Sequence, residues 1–338
     1  MNNVYLQKRT LVALSACSST FFVNAATLNS TWLAENSRWT IDASARVSRN
    51  TDTEKNAQTY ALGLDFHKVF SDDSHDIGTL TFQPYLVKIS NVARPPFTFD
   101  DGDDTELTWR IANFNYTALA QGKFNIRLGH FEIPYGLEYA EDTNGTLRQL
   151  TASDRGIKAD WGISLNGILP YLEYEVALTR GSGNEIKSTD NPHVFSGRIG
   201  SPSHRNLITG ISWFKGDVLT RNGVVERERY GVDVSYFYYQ WQFMLESSLG
   251  ETQGNDTSHS FAEIAWMSPQ EHWKSYLQLV YQDIDVEQRN DFASYWIFGL
   301  RWQNDDGFDL SAQFKHDLNS ASTIETAPDL SLQVRYRL

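Results

Sequence analysis

The sequence predicts an all-β chain, a single transmembrane antiparallel β-barrel of about sixteen strands with short turns at one end and long loops at the other. Three observations carry this. Apolar and polar residues alternate in segments of about ten residues, the length of a tilted strand across a bilayer. The connections between these segments run alternately short and long. The last segment keeps its alternation to the final residue, with Leu330, Leu332, Val334, Tyr336 and Leu338 on one face.

The N-terminus reads as an export signal. Lys8 and Arg9 form its positive region, and the stretch from Leu11 to Val23 its modest apolar core. Val23-Asn24-Ala25 is a small-residue cleavage site before Ala26. Residues 1–25 are therefore expected to be removed, leaving 26–338 as the barrel with a lead-in to about Asn36. Leu14-Ser15-Ala16-Cys17 also fits a lipobox, although the apolar run before Cys17 is short. Cys17 is the single cysteine, so the processed chain has no disulfide, thiol nucleophile or cysteine metal ligand. No window approaches about 18 consecutive apolar residues, and no transmembrane helix is expected. A net charge of −13 argues against nucleic acid as a partner, since phosphate neutralisation needs a basic face. Abundant Trp, Tyr and Phe combined with a negative mean hydropathy suit an apolar band around a polar lumen.

Taken in order, Trp39, Ile41, Ala43, Ala45 and Val47 alternate with Arg38, Thr40, Asp42, Ser44 and Arg46. Tyr60, Leu62, Leu64 and Phe66 mark the second strand, and the stretch from Leu80 to Ile89 the third. Leu107, Trp109 and Ile111 alternate with Thr108 and Arg110, and Phe124, Ile126 and Leu128 with Asn125, Arg127 and Gly129. After residue 159 come Trp161-Ile163-Leu165, Leu172-Tyr174-Val176-Leu178, Phe195-Gly197-Ile199 and Ile208-Gly210-Ser212. Tyr230-Val232-Val234-Tyr236 leads into Phe243-Leu245-Ser247-Leu249. Ala262-Ile264-Trp266, Leu277-Leu279-Tyr281, Trp296-Phe298-Leu300-Trp302 and Leu310-Ala312-Phe314 precede the terminal strand.

Short connections fall at 71–76, 119–123, 166–170, 238–240 and 304–307. Long ones fall at 91–105, 134–159, 181–192, 215–226 and 317–329. Short periplasmic turns and long outer loops produce that alternation, whereas a soluble sandwich gives no reason for it. The cluster Tyr236-Phe237-Tyr238-Tyr239-Gln240-Trp241 around a short turn suits an interfacial aromatic girdle.

Residues 134–159 follow neither period, and Pro134, Gly136, Gly145 and Gly156 interrupt them. A connection that long inside a folded chain is functional rather than filler. It sets Arg148, Arg155 and Lys158 against Glu138, Glu141, Asp142 and Asp154, so its net charge is near neutral. On the strands, the polar positions that alternate with the apolar set include Arg46, Arg110, Arg127, Arg198, Arg229, Arg301, Arg335 and Arg337. Their acidic counterparts are Asp42, Glu173, Glu175, Asp233 and Glu246. Two readings stand: such arginines attract anions to the wall, or they pair with carboxylates across the lumen and stiffen it.

Catalytic signals are missing. There is no H-E-x-x-H, paired-cysteine site, G-x-S-x-G, P-loop or dinucleotide fingerprint, so no catalytic residue, metal or cofactor is expected. His259-Ser260 reads as a chance neighbour pair without an orienting acid. The run Asp100-Asp101-Gly102-Asp103-Asp104 lacks the spaced ligands of a calcium loop. It reads as a solvated outer loop, or as a bridge to lipopolysaccharide through divalent ions.

The stretch RLGHFEIPYGLEY at 127–139, followed by Gly145-Thr146-Leu147 and Asp160-Trp161-Gly162, resembles the phosphate-selective porin O and P family. In that family a strand ending in G-[RHK]-F-x-[IV]-P-[FY]-G precedes the third outer loop. The terminal strand resembles the assembly signal of outer-membrane barrels, with Leu338 in place of the usual Phe. The resemblance implies a sixteen-stranded homotrimeric porin in the outer membrane of a Gram-negative bacterium, set among lipid and lipopolysaccharide. It further implies passive diffusion of small hydrophilic solutes or ions, with loop 134–159 folded inward as a constriction. Family members selective for phosphate carry a lysine-rich pore, whereas this loop and lumen hold few lysines. Phosphate therefore does not follow, and the expected bias toward anions rests on the wall arginines. The competing readings are a sleeve around a partner such as a multihaem cytochrome, an outer-membrane barrel enzyme and a soluble secreted β-protein.

Overall fold

Period-two alternation gives every strand one apolar and one polar face. Strands of this kind bury the polar face together only by closing into a ring. In the computed structural model they do so. It describes residues 35–338 except 53, 73–74, 91–104, 187–190, 221–222, 287–288 and 321–328. The strands are β1 (Ser37–Asn50), β2 (Asn56–Ser71), β3 (Asp76–Ser90), β4 (Thr105–Tyr116), β5 (Asn125–Glu132), β6 (Ala159–Ile168), β7 (Glu173–Thr179) and β8 (Val194–Gly200). They continue as β9 (Leu207–Thr220), β10 (Gly223–Tyr238), β11 (Trp241–Thr252), β12 (Asn255–Met267), β13 (Trp273–Val286), β14 (Arg289–Gln303), β15 (Phe308–Asn319) and β16 (Asp329–Arg337). Each pairs antiparallel with its neighbour in sequence, and β1 closes the ring on β16 from Asp42↔Arg337 to Asn50↔Asp329. Closure removes the sheet edges that lipid cannot satisfy.

The two faces differ along every long strand. On β11, Trp241, Phe243, Leu245 and Leu249 are exposed, while Gln242, Met244, Glu246 and Ser248 are buried. β10 repeats the rule, with Tyr230, Val232 and Tyr236 outside and Arg229, Asp233 and Ser235 inside. Leu62, Leu107, Leu128, Ile163, Ile211, Leu279, Phe298 and Leu332 carry the exposed apolar band around the barrel. A closed sixteen-stranded barrel with such a band is a Gram-negative outer-membrane architecture. Tyr236, Tyr238, Tyr239 and Trp241 stand exposed at the β10–β11 turn, on the periplasmic end that the termini share. Among the described residues no helix is long and apolar enough to cross a membrane, and the strands do the crossing.

Three details depart from the sequence reading. Residues 215–226 are mostly strand rather than loop, with Gly216 opposite Arg227 and Val218 opposite Val225. The β11–β12 connection is equally tight, Thr252 facing Asn255. Strands on this side climb past the apolar band, so polar composition there marks exposure to water and not a loop. The third departure is a bulge in β4. Phe82 pairs with Ala112 and Pro84 with Trp109, so Arg110 and Ile111 together oppose Gln83. Pro84 has no N–H for the ladder, and the extra residue shifts the alternation. Arg110 and Ile111 consequently both line lumenal cavities, although they are adjacent in sequence. The export signal, Cys17 and the acidic run at 100–104 lie outside the described residues.

The outward position of Leu245 gives a direct check. Leu245→Arg places a guanidinium on the lipid face near mid-strand and is expected to destabilise the folded barrel by about 2–4 kcal/mol. Equilibrium unfolding in lipid vesicles measures it, and an unchanged midpoint would put this face on the inside.

Candidate functional site in the barrel lumen

The connection between β5 and β6 does not extend into solvent. The backbone N–H of Ile133 donates to the Lys158 carbonyl at 2.9 Å and pinches its base. Between these residues the chain forms two short helices, α1 (Gly136–Ala140) and α2 (Ala152–Arg155), and lies across the lumen. Its contacts run around much of the wall.

Glu246 of β11 anchors the near side. The Leu137 N–H donates to its Oε2 at 2.7 Å and the Thr151 hydroxyl at 3.0 Å. The Arg155 guanidinium lies 3.7 Å away as the counter-charge. Gly136 passes so close that a Cβ would collide with this carboxylate, and its φ of +59° also favours glycine. Glu175 of β7 accepts from the Tyr139 hydroxyl at 2.5 Å and from Arg127 at 3.0 Å. Arg148 forks onto Glu263 of β12 at 2.7 and 3.0 Å and reaches Glu141 at 3.4 Å. Asp154 accepts from Arg229 at 2.7 Å and from the Ser248 hydroxyl at 2.6 Å. At the far side Arg46 donates to the Thr146 carbonyl and Gln333 to the Gly145 carbonyl, at 2.9 and 2.7 Å.

Apolar contacts seat the loop between these polar anchors. Ile133, Tyr135 and Ile157 bury against Val194, Phe214 and Val218 of β8 and β9. Leu137 and Leu150 bury against Met244, Phe261 and Val280 of β11 to β13. Within the loop, Glu138 ties both arms together. It accepts from the N–H groups of Leu150 and Thr151, the Thr143 hydroxyl and the Lys158 ammonium, the last at 2.8 Å. Burial pushes its carboxyl up, but the Lys158 charge and the hydrogen bonds from Lys158 and Thr143 together outweigh that and hold it below the ordinary value. Asp154 follows the same pattern: burial raises it, while His259, Arg229 and Ser248 more than offset this and hold it at about 2.

All the strand arginines singled out in the sequence lie on the inner wall, and most meet a carboxylate. Arg127 meets Glu175, Arg198 meets Asp233 at 2.5 Å, Arg229 meets Asp154 and Arg301 meets Asp309. Two arginines share one acid: Arg110 and Arg335 donate to Asp42 at 3.0 and 2.9 Å. The Arg110 guanidinium also lies 3.6 Å over the Tyr85 ring. Arg46 bonds Gln333 and a carbonyl, with no carboxylate partner among the described residues. Arg337 pairs with Asp65 at the periplasmic end. Glu173 is half-buried there and accepts from Ser203. In the loop Lys158 pairs with Glu138 and Arg155 with Glu246, while Asp142 is exposed and accepts only the Asn144 N–H.

Two cavities lie between the loop and strands β1 to β4. One of about 310 Å³ opens on the outer side of the loop and one of about 470 Å³ on its periplasmic side, with Arg110 and Asn144 in both linings. Tyr85, Asp65, Glu263, Gln333 and Asn144 shape the cavities or the docking and were not singled out in the sequence. Period-two phase would have found Glu263, which alternates with Ala262, Ile264 and Trp266. His259 and Ser260, by contrast, separate to opposite faces: His259 is buried inside, and Ser260 is exposed outside beside Ser247.

This geometry is that of known barrels. The chain has the fold of outer-membrane porins. An anion-selective porin from Comamonas acidovorans aligns over 89% of this chain and 99% of its own, with TM-score 0.62 and 12% identity. OprB of Pseudomonas putida aligns over 91% and 96%, with TM-score 0.65 and 9% identity. The trimer form of OmpT, an outer membrane protein of Vibrio cholerae, aligns over 89% and 99%, with TM-score 0.62 and 8% identity. No protein-family model matches the sequence, and no curated protein does.

Two predictions follow from the docking. Glu246→Ala leaves Arg155 buried without its counter-charge, a change worth about 3–5 kcal/mol. The loop is expected to release from the wall, and trypsin to cleave at Arg148 or Arg155, which are protected in the parent protein. The second concerns acid. A carboxylate lowered by folding adds stability above its unfolded value and loses it as pH falls through the folded one. The contribution of Asp154 is thus complete above its ordinary 3.8 and lost toward about 2. Pepsin sensitivity of the loop is expected to rise across that window, and less so in Asp154→Asn.

Proposed function

We propose that the chain is a porin for the passive diffusion of small hydrophilic solutes or ions, without catalysis or a bound cofactor. The observation that carries this is the closed barrel whose lumen is crossed by an anchored loop that leaves charged cavities beside it. Loop 134–159 is the constriction in this reading, and the stretch at 127–139 supports kinship with the phosphate-selective porin O and P family. A bias toward anions is part of the proposal. Most wall arginines are neutralised by carboxylates, so the bias rests on Arg46 and on the excess charge where Arg110 and Arg335 share Asp42. The trimer form of OmpT supports a homotrimer embedded among lipid and lipopolysaccharide. The docked loop speaks against a sleeve around a multihaem partner, because it occupies the space that partner needs. The separation of His259 from Ser260 removes the one pair nameable for a barrel enzyme.

Planar-bilayer recording tests the proposal. Steady single-channel steps with a reversal potential favouring chloride over potassium are expected in a KCl gradient. Removing one unit charge about 4 Å from a permeating ion in water changes its energy by ~1 kcal/mol, about fivefold in permeability ratio. Arg46→Gln is expected to lower the anion preference by up to that factor. Cation preference in the parent protein would reject the anion bias, and a folded barrel without steps would reject the porin.

A further inference from the structure

Away from the patches that the loop covers, most of the inner wall is polar, as a water-filled lumen requires, but one uncovered stretch is not. On the outer halves of β2 and β3, Ala57, Ala61, Val87 and Ile89 face inward as direct neighbours: Ala61 pairs with Val87, and Ile89 with Thr59 between the two alanines. All four line the outer cavity of about 310 Å³. That volume is at the lower end of small-molecule pockets. Val87 and the two alanines are half-buried and Ile89 is nearly covered, and the polar Ser and Thr at neighbouring lumenal positions show that the wall accepts such residues here.

The floor of the same cavity is cationic. Arg46 uses Nε and Nη2 on Gln333 and the Thr146 carbonyl. Arg110 uses Nη1 on Asp42, and the remaining guanidinium N–H groups of both have no further hydrogen bond among the described residues. The other charged lining group, Lys158, is committed to Glu138 at 2.8 Å. Asp42, the carboxylate that Arg110 meets, is already shared by two arginines and is 1% exposed, and Glu132 accepts from the lining Asn144 at 2.8 Å. The cavity thus combines an apolar wall with two guanidinium groups that retain free donors. An inorganic anion would use only the second of these features, and a neutral apolar solute only the first.

We propose that this outer cavity is a binding subsite for small organic anions with an apolar body, monocarboxylates of a few carbons in particular. The carboxylate meets Arg46 and Arg110 while the hydrocarbon lies on Val87, Ile89 and the two alanines. Arg110 also lines the periplasmic cavity, together with Arg335 and Arg337. The subsite rests on the porin reading for its role in uptake, but its binding chemistry can be tested without it.

The test titrates the purified full chain in neutral detergent with acetate, butyrate, hexanoate, hexanamide and inorganic phosphate by calorimetry. The same compounds are then tested as blockers of KCl current in bilayers. Affinity is expected to rise roughly twofold per added methylene, about half the effect of complete burial, with hexanamide and phosphate both weaker than hexanoate. In the double variant Val87→Ser with Ile89→Ser the chain-length series is expected to flatten, and in Arg110→Gln all carboxylates are expected to weaken together. The series on the parent protein decides the matter even if a variant misfolds. Equal binding of acetate, hexanoate and phosphate would overturn the subsite, and so would hexanamide binding as tightly as hexanoate. KCl steps with a flat series would reject the subsite and keep the porin. A rising series without steps would keep the subsite and reject the porin.

Discussion

Everything inside the barrel depends on the matching of buried charges between the loop and the wall. A carboxylate such as Glu246 or Glu263, once covered, has lost its water and can be kept only by donors placed at bonding distance. The loop supplies them: the Leu137 N–H and the Thr151 hydroxyl to the first, with the Arg155 charge 3.7 Å away, and Arg148 to the second. In return the wall supplies Arg229 and Ser248 to Asp154. Because the partners come from β7, β11 and β12 and from β16 and β1 opposite, the loop has one seat that meets them together. Its glycines fit this seat, Gly136 against Glu246 and Gly145 beside Arg110.

That matching also decides what the lumen can do. An arginine-rich wall read only by composition is a strong anion attractor. Once Arg127, Arg198, Arg229 and Arg301 are each paired, their fields largely cancel at the distance of a passing solute. What is left is local: the unpaired Arg46 and the excess at Asp42, both beside the two cavities. The charge left without a full counter-charge is thereby concentrated on strands β1 to β4 and β16, while much of the rest of the wall is occupied in holding the loop.

Much of the fold was legible because period-two alternation reports the inner and outer face directly. The residues from Phe243 to Leu249 read as a strand, and they lie within one that runs from Trp241 to Thr252. The long connection at 134–159 was visible through its lost periodicity and its glycines. Residues 215–226 misled because a strand that rises beyond lipid is polar on both faces, and alternation disappears without the strand ending. Arg110 was read on the correct face but Ile111 was not, since a bulge moves the phase by one residue and leaves no mark in composition beyond Pro84. The pairing of each arginine was beyond reach, because partners such as Arg335 and Asp42 lie at opposite ends of the chain and meet only when the ring closes.

The strands are unequal in a way that matters for the surrounding membrane. β10 has 16 residues and β9 has 14, while β7 and β8 have 7 each. A tilted strand needs about 9–11 residues to cross the hydrocarbon layer, so the β7–β8 side falls short of an unperturbed bilayer. A wall this short is accommodated by thinner lipid, by snorkelling flanking residues or by contact with another subunit, at a fraction of a kcal/mol per ångström of mismatch, whereas β9 and β10 need none of these. The barrel therefore sits in its membrane with a preferred edge. Where β7 and β8 meet lipid, thickness-dependent strain collects along them, and a change in acyl-chain length is passed to β6, the strand on which the lumenal loop ends.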